Sequence, residues 1–161
     1  MTNLQKPTYR SSASFGKRME YVVVGELLRR GFDVYMTLVD DQQIDCILRF
    51  PDTPYQYVDV QIKARSKTAK NKAMFSAMTI SPRENYIFVF YDETLDEFWI
   101  IPSLDVVKEG NTNKTGANVG KVKIRLANNL KAGWKPRPKF DDFKNRFDLL
   151  IPSASSWEMD N

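Results

Sequence analysis

Apolar residues follow two different spacings along the chain, and these spacings predict its secondary structure. Helical spacing predicts three helices, at 14–30, 103–108 and 140–150. Alternating or continuous apolar runs predict six strands, at 32–38, 44–50, 57–65, 86–91, 97–101 and 121–127. Ser14 is placed to cap the first helix and Gly31 to end it. A helix followed by three strands, a crossover and further strands predicts one α/β or α+β domain with a mixed sheet.

The length and composition are those of one globular domain. The chain has 161 residues, of which 42% are apolar and 27% charged. We therefore expect residues 1–161 to form a single domain, with a loose polar segment at 1–13. No apolar stretch has the length of a membrane helix, and we expect no secretory signal. The single cysteine, Cys46, cannot form an internal disulfide, which favours a cytoplasmic location.

Charge and the absence of histidine limit the chemistry that the chain can perform. A net charge of +4 and a pI near 9.1 suit a polyanionic partner such as nucleic acid. Because the chain has no histidine, catalytic triads, histidine bases and histidine-ligated zinc sites are excluded. Any catalysis must use carboxylate, amine, phenol or hydroxyl groups, with or without a cation bound by oxygen atoms.

One acid lies on the apolar side of the first predicted helix. That side consists of Val23, Val24, Leu27 and Leu28. At about 100° per residue, Glu20 falls on the same side, where a carboxylate is costly unless it is paired or binds a cation. Glu26 faces elsewhere and is expected to pair with Arg29 and Arg30. Two interpretations of Glu20 stay open: it meets a lysine or a backbone amide near the helix start, or it belongs to a functional site.

A second acid and a polar row lie on the second and third predicted strands. Asp45 interrupts an apolar strand, where aspartate is uncommon, and it either caps a turn or has a function. The polar face of the third strand consists of Tyr57, Asp59, Gln61, Lys63 and Arg65. If the two strands form a hairpin, Asp45 can point the same way as Gln61 and Lys63. If the first helix packs on that face, Glu20 joins them, and oxygen ligands beside a lysine suit a magnesium site.

These motifs occur in the order found in a known family. GKRMEYVVVGELLRRGFDVY, at 16–35, is similar to the first helix of the PD-(D/E)XK nuclease superfamily, the restriction-endonuclease-like fold, especially its branch near archaeal Holliday junction resolvases. IDCIL, at 44–48, is similar to the strand with the metal-binding aspartate, and VQIKAR, at 60–65, to the (D/E)-x-K strand. The resemblance covers residues 16–65, with a weaker similarity through 102. It implies a central mixed sheet flanked by helices.

The resemblance also implies a role for each site residue. Four groups would hold Mg²⁺ or Mn²⁺: the side chains of Glu20, Asp45 and Gln61, and the Ile62 carbonyl. Lys63 would orient the attacking water or stabilise the transition state. The family usually has an acid where Gln61 stands, so one negative charge is missing, and the site is expected to bind metal more weakly or to be inactive. The proline that usually precedes the aspartate is Ile44 here, which is a milder departure.

Two groups of basic residues are candidates for contact with nucleic acid. The first group consists of Lys63, Arg65, Lys67, Lys70 and Lys72. Its place beside the predicted site favours contact with a DNA backbone, although composition alone fits a solvated basic loop equally well. The second group surrounds Trp134, for which base stacking and structural packing of an extended tail both stay open.

The leading prediction is a magnesium-dependent DNA endonuclease in which metal-activated water hydrolyses a phosphodiester bond. Duplex and branched DNA both stay open as substrates, and a homodimer is expected by analogy with the superfamily alone. One rival is a catalytically inactive nucleic-acid-binding module on the same fold, with Gln61 marking the lost activity. Another is a protein-interaction subunit whose basic strip meets an acidic partner.

Overall fold

The computed structural model describes residues 12–39, 42–51, 56–69, 74–126 and 138–153. The α-helices are α1 (Ser12–Arg29) and α2 (Ser103–Glu109). The strands are β1 (Asp33–Met36), β2 (Cys46–Phe50), β3 (Gln56–Arg65), β4 (Met74–Met78), β5 (Tyr86–Asp92), β6 (Glu97–Pro102), β7 (Asn111–Thr112) and β8 (Val122–Arg125). Two short 3₁₀ helices follow, at Pro138–Phe143 and Phe147–Leu150. Residues 1–11, Lys70, Lys72 and the surroundings of Trp134 lie outside this description.

Five strands form a central mixed sheet in the order β1-β2-β3-β5-β6, and β4, β8 and β7 form a second sheet. Within the described residues, β3 and β5 are the one parallel pair, with Asp59 opposite Tyr86 and Arg65 opposite Asp92. The other neighbours run antiparallel. This arrangement confirms the predicted α/β class with a central mixed sheet flanked by helices.

The two faces of the central sheet have different coverings. Val60 and Ile62 of β3 face the apolar side of α1. Phe88 and Phe90 of β5 face the second sheet and α2. Because both faces are covered, every residue of β5 is buried, as its continuous apolar run predicts. In the described part of the chain, neither α-helix combines the length and apolarity needed to cross a membrane.

The end of α1 lies where the sequence predicts it, but the apolar side of the helix is narrower than predicted. Gly31 has a φ of 88°, and its N–H donates to Leu28 O at 2.9 Å while the Phe32 N–H donates to Leu27 O at 3.1 Å. This pair of bonds is the left-handed helix end that glycine favours. Leu27 is fully buried but Leu28 is 54% exposed, so the apolar side is narrower than predicted. The helix starts at Ser12, and Ser14 lies within it.

Two local predictions are corrected by long-range contacts, and β4 was not predicted. The helix predicted at 140–150 is two 3₁₀ segments, because Asn145 adopts a φ of 55° and its N–H donates to Phe98 O of β6 at 2.8 Å. Ser103 does not cap α2, because its hydroxyl donates to Arg83 O at 2.8 Å. β4 escapes prediction because Ala77, with a φ of 61°, and an irregular register with β8 break its alternation.

Candidate active site

Asp45 lies where β2 begins and forms the centre of the candidate site. Its N–H donates to Val60 O at 2.9 Å, and the β2–β3 ladder starts at the next residue, where Cys46 is opposite Val60. Beyond this point β3 continues without β2. The N–H of Ile62, which would otherwise extend the ladder, donates to Asp45 Oδ2 at 2.6 Å. The carboxylate of Asp45 therefore supplies the acceptor that a longer β2 would have offered to this N–H.

Gln61 meets the same carboxylate from β3. The residue is 1% exposed, and its Nε2 donates to Asp45 Oδ2 at 3.0 Å. Its Oε1 lies 3.0 Å from the hydroxyl of Tyr86, which also lies 2.9 Å from the carbonyl oxygen of Gln43. The structure thus brings Asp45 and Gln61 together in a buried polar network.

Tyr86 and Gln43 are members of this network that the sequence-based prediction missed. The available signal was the phenol of Tyr86, which stands at the start of a continuous apolar run. A buried tyrosine hydroxyl needs a hydrogen-bond partner. The identity of that partner depends on strand order, which the local sequence does not specify.

Glu20 lies on the helix that packs against the face of β3 opposite to Gln61 and Lys63. α1 packs on the face of β3 that carries Val60 and Ile62, whereas Gln61 and Lys63 lie opposite Phe88 and Phe90 on the aromatic face. The helix therefore does not cover the polar face, because its apolar side packs on the apolar residues of an alternating strand.

The partner of Glu20 matches one of the two interpretations left open by the sequence. Its Oε2 lies 2.6 Å from Lys17 Nζ, and the lysine is exposed. The charge of Glu20 nevertheless acts on Asp45 and contributes to the pKa of that residue. The ion pair and a place in the site are therefore compatible.

The electrostatic environment of Asp45 opposes its ionisation. Burial raises the pKa of the Asp45 carboxyl, and the Glu20 carboxylate raises it further. The hydrogen bonds from Ile62 and Gln61 and the charge of Lys63 lower the pKa but do not reverse the shift. The negative charge of Glu20 thus acts on a buried acid whose hydrogen-bond donors are neutral, an arrangement that a bound cation would stabilise.

Cys46, which adjoins Asp45, does not add a thiolate to this set. Burial, together with the charges of Asp45 and Glu20, raises the pKa of its thiol to about 12. The side chain is fully buried and belongs to the apolar cluster under α1. Its chemistry is therefore that of a small apolar residue.

Lys63 lies on the same face as Gln61 and lines an open cleft. The cleft has a volume of about 390 Å³ and lies between the end of β3 and β4. Gln43, Ser76 and Thr79 also line it, so part of the buried network borders the opening. Within the part of the chain that the structure describes, the Lys63 amine makes no hydrogen bond or ion pair. It is therefore available to an anion that enters the cleft.

Other members of the polar row have structural partners. The guanidinium of Arg65 donates to the carbonyl of Met74 and lies 5.2 Å from the centre of the Phe75 ring. Burial lowers the pKa of Arg65, and the contacts show that this side chain helps to hold β4 against β3. Asp59 pairs with Arg83 at 2.6 Å rather than with Lys63.

The structure describes only part of the first basic group, which forms the predicted basic strip. Lys67 is exposed, and its backbone N–H donates to Glu93 Oε2 at 3.0 Å. Lys70 and Lys72 lie outside the described residues. The described part of the strip therefore consists of Lys63 and Lys67, with Arg65 engaged by β4.

The donor set fits a hard cation that uses few protein ligands. Among the described residues, no three aspartate, glutamate or cysteine side chains lie close enough together to hold a metal. The candidate ligands are two carboxylates, an amide and a carbonyl: Asp45, Glu20, Gln61 and Ile62. The N–H and C=O of a strand residue point to the same side, so the Ile62 carbonyl also faces the edge that β2 leaves open. Mg²⁺ commonly binds through one or two carboxylates and keeps several waters.

Comparison with known proteins gives a match in structure alone. No protein-family description and no curated protein matches the chain. The fold is similar to that of a bacterial homing endonuclease, I-Ssp6803I, with a TM-score of 0.59 and 20% identity over 87% of this chain and 93% of that one. The two chains share a fold. D212, a nuclease from a fusselovirus, aligns with 73% of this chain and 83% of its own at 18% identity, with a TM-score of 0.45.

Proposed function

We propose that the protein is a magnesium-dependent DNA endonuclease of the PD-(D/E)XK type, with a Q-x-K variant of the last motif. The observation that carries the proposal is the buried contact of Asp45 Oδ2 with Gln61 and Ile62 where β2 begins. Glu20 lies close enough to act on the same carboxylate. The fold shared with a homing endonuclease supports this reaction class, although fold alone does not specify function.

Each site residue has a defined part in the proposed reaction. Asp45, Glu20, the Gln61 amide oxygen and the Ile62 carbonyl would hold Mg²⁺ or Mn²⁺. When bound, the metal lowers the pKa of a water molecule and stabilises the leaving oxygen. Lys63 orients this water or neutralises charge on the phosphate.

The cleft beside Lys63 is the proposed path for the DNA backbone. Its lining at Ser76 and Thr79 offers hydroxyl groups that can donate to phosphate oxygen atoms. Lys67, with Lys70 and Lys72 of the same predicted strip, would add sequence-independent phosphate contacts. Duplex and branched DNA both fit this description, and a homodimer would place two such clefts on one substrate.

Cleavage of supercoiled plasmid tests the proposal. We expect nicking with Mg²⁺ or Mn²⁺ and none with EDTA. Lys63→Ala should lower the rate about 100-fold, the usual effect of removing one group that stabilises a transition state. Lys108→Ala, which removes an exposed lysine of α2, is the matched control and should cut normally. Failure to cut duplex, branched or single-stranded DNA with either metal would refute the nuclease assignment.

A second candidate function is favoured by the small number of acids. Because no three acidic side chains cluster among the described residues, the fold could bind DNA without cleaving it. Such a module would retain DNA at low salt, independently of metal, and would release it as salt rises. Retention without cleavage therefore distinguishes this function from the nuclease.

A further inference from the structure

The hydroxyl of Tyr86 has one proton and two neighbouring oxygen atoms that accept hydrogen bonds. Its oxygen lies 2.9 Å from the carbonyl oxygen of Gln43 and 3.0 Å from Gln61 Oε1. A phenol donates one hydrogen bond. One of these two contacts therefore places oxygen against oxygen with no proton between them, which is costly in a buried network.

Turning the Gln61 amide end for end removes this conflict at the Tyr86 hydroxyl. The oxygen and nitrogen of an amide occupy nearly equivalent positions, so the turn leaves the other atoms in place. Tyr86 then donates to the Gln43 carbonyl, which can only accept, and accepts from Gln61 Nε2. The hydroxyl and the Gln43 carbonyl are then both satisfied, and the pair of oxygen atoms without a proton moves to Gln61 Oε1 and Asp45 Oδ2, where a bound cation would be needed between them.

The turn also changes what Gln61 presents to Asp45. Oε1 takes the position of Nε2, which lies 3.0 Å from Asp45 Oδ2. Two neighbouring oxygen ligands of an octahedral Mg²⁺ ion are about 3.0 Å apart, because each lies about 2.1 Å from the metal at a right angle. The separation of the two side chains therefore fits a cation held by both.

We propose that Tyr86 is a positioning residue, which directs the carbonyl oxygen of Gln61 rather than its NH₂ group towards a metal ion held with Asp45. This inference rests on the proposed metal-dependent function. It explains how an amide can serve where the resemblance expects an acid. A carboxylate can bind metal through either oxygen, whereas an amide has one ligating end and needs a partner that fixes its direction.

The ring of Tyr86 is held firmly enough for this task. It is 2% exposed, and its centre lies 5.1 Å from that of Phe88. The guanidinium of Arg83 lies 4.1 Å from the ring centre on a residue that Asp59 holds by an ion pair. The hydroxyl is therefore fixed relative to β3, as the positioning of the Gln61 amide requires.

Binding of Mn²⁺ alone, measured by calorimetry, tests the inference without depending on cleavage. Tyr86→Phe should weaken binding about 10- to 100-fold, as loss of an orienting partner usually does. Tyr91→Phe is the matched control, because Tyr91 is buried on the same strand and its hydroxyl donates to Asp96 Oδ1 at 3.0 Å. This variant should bind Mn²⁺ like the unaltered protein.

The Gln61→Glu background separates orientation from general damage. Since both ends of a carboxylate can bind metal, Tyr86→Phe should cost less than about 3-fold in that background. An equal loss in both backgrounds, or no loss in either, would overturn the role of Tyr86 while leaving the metal site in place. Absence of Mn²⁺ binding by the unaltered protein would overturn the proposed function together with this inference.

A measurement on the unaltered protein keeps the inference testable if Tyr86→Phe fails to fold. With Mg²⁺ bound, nuclear Overhauser effects should connect the side-chain NH₂ protons of Gln61 to the Tyr86 ring protons next to the hydroxyl. In the opposite orientation these NH₂ protons would contact the backbone amide proton of Ile62. Observation of the Ile62 contact without the Tyr86 contact would overturn the inference.

Discussion

The two ends of the parallel β3–β5 ladder carry similar side chains in different arrangements. At the end where β5 finishes, Asp92 is fully buried, and its Oδ1 accepts hydrogen bonds from the N–H groups of Thr94 and Leu95 at 2.8 and 3.1 Å. The hydroxyl of Tyr91 donates to Asp96 in the same turn. These hydrogen bonds join neighbouring residues of one turn, and the guanidinium of Arg65 on β3 adds an opposite charge that interacts with Asp92.

In the network that Tyr86, the first residue of β5, joins, the partners come from distant parts of the chain. Asp45 is 6% exposed and accepts from Gln61 and Ile62, which lie 16 and 17 residues away. Glu20 adds a second negative charge from α1, and Tyr86 contacts Gln61 rather than an acid. Asp92 therefore has hydrogen-bond donors from its own turn and an opposite charge nearby, whereas Asp45 has donors from another strand and a like charge from Glu20.

The difference shows that burial alone does not identify a functional acid. Both aspartates are buried, and each accepts hydrogen bonds from two N–H groups of the described residues. Local partners indicate an acid that stabilises a turn. Partners from other elements, together with a like charge, indicate an acid whose ionised form needs a further cation. The experiments below compare matched residues at the two ends.

The largest expected difference is between Asp45→Asn and Asp92→Asn. Asp45→Asn should lower metal-dependent cleavage on the order of 10³-fold, because it would remove the charge of a central ligand of the proposed metal. Asp92→Asn should leave the cleavage rate of folded protein unchanged but lower the free energy of unfolding by about 1 kcal/mol, because its hydrogen bonds lose the charge. Plasmid nicking and urea denaturation measure the two effects. Loss of cleavage by folded Asp92→Asn would remove the contrast.

A smaller difference is expected between the two acids of α1. Glu26 accepts from Arg29 and Arg30 at 2.7 to 2.8 Å, and the Arg29 contact is the main cause that lowers its pKa. Glu20→Gln should lower cleavage about 10- to 100-fold. Glu26→Gln should cut normally and lose about 0.5 kcal/mol of stability, an amount that salt reduces. Equal cleavage by the two variants would show that Glu20 acts only as the partner of Lys17.

Much of the fold could be predicted where local pattern and tertiary structure agree. The apolar run of β5 predicts burial on both faces, and Gly31 predicts the end of α1. The contact of Asp45 with Gln61 also follows from two alternating strands joined as a hairpin. In these cases the residue types that favour the element also make its long-range contacts.

The remaining features depend on contacts between distant segments. Asn145 breaks a helical pattern because its backbone pairs with Phe98 of β6. Tyr86 enters the candidate site because β5 lies beside β3, an order that neither strand specifies alone. Because α1 packs on the face of β3 opposite to Gln61, Glu20 and Gln61 lie on different sides of the sheet, although both act on Asp45.

The smallest expected effect is the pH dependence of stability in the metal-free protein. The pKa of Asp45 is raised in the folded state, mainly by burial, above the value of about 3.9 expected in the unfolded chain. Above the folded pKa the charged carboxylate therefore destabilises the fold. As the pH falls through the folded pKa, the folded protein takes up the proton first, and the penalty disappears.

Asp45→Asn removes the charge and therefore the penalty, so the variant and the unaltered protein should differ in their free energy of unfolding. In EDTA near pH 7, the variant should be more stable than the unaltered protein by roughly 1 kcal/mol or less. The difference should vanish below about pH 4, where Asp45 is protonated in both states. Urea denaturation at several pH values measures this difference. Asp92→Asn, which should lower the free energy of unfolding near pH 7, is the control. A less stable Asp45→Asn at neutral pH would mean that Asp45 is held as Asp92 is, and the contrast between the two ends of the ladder would no longer indicate a site.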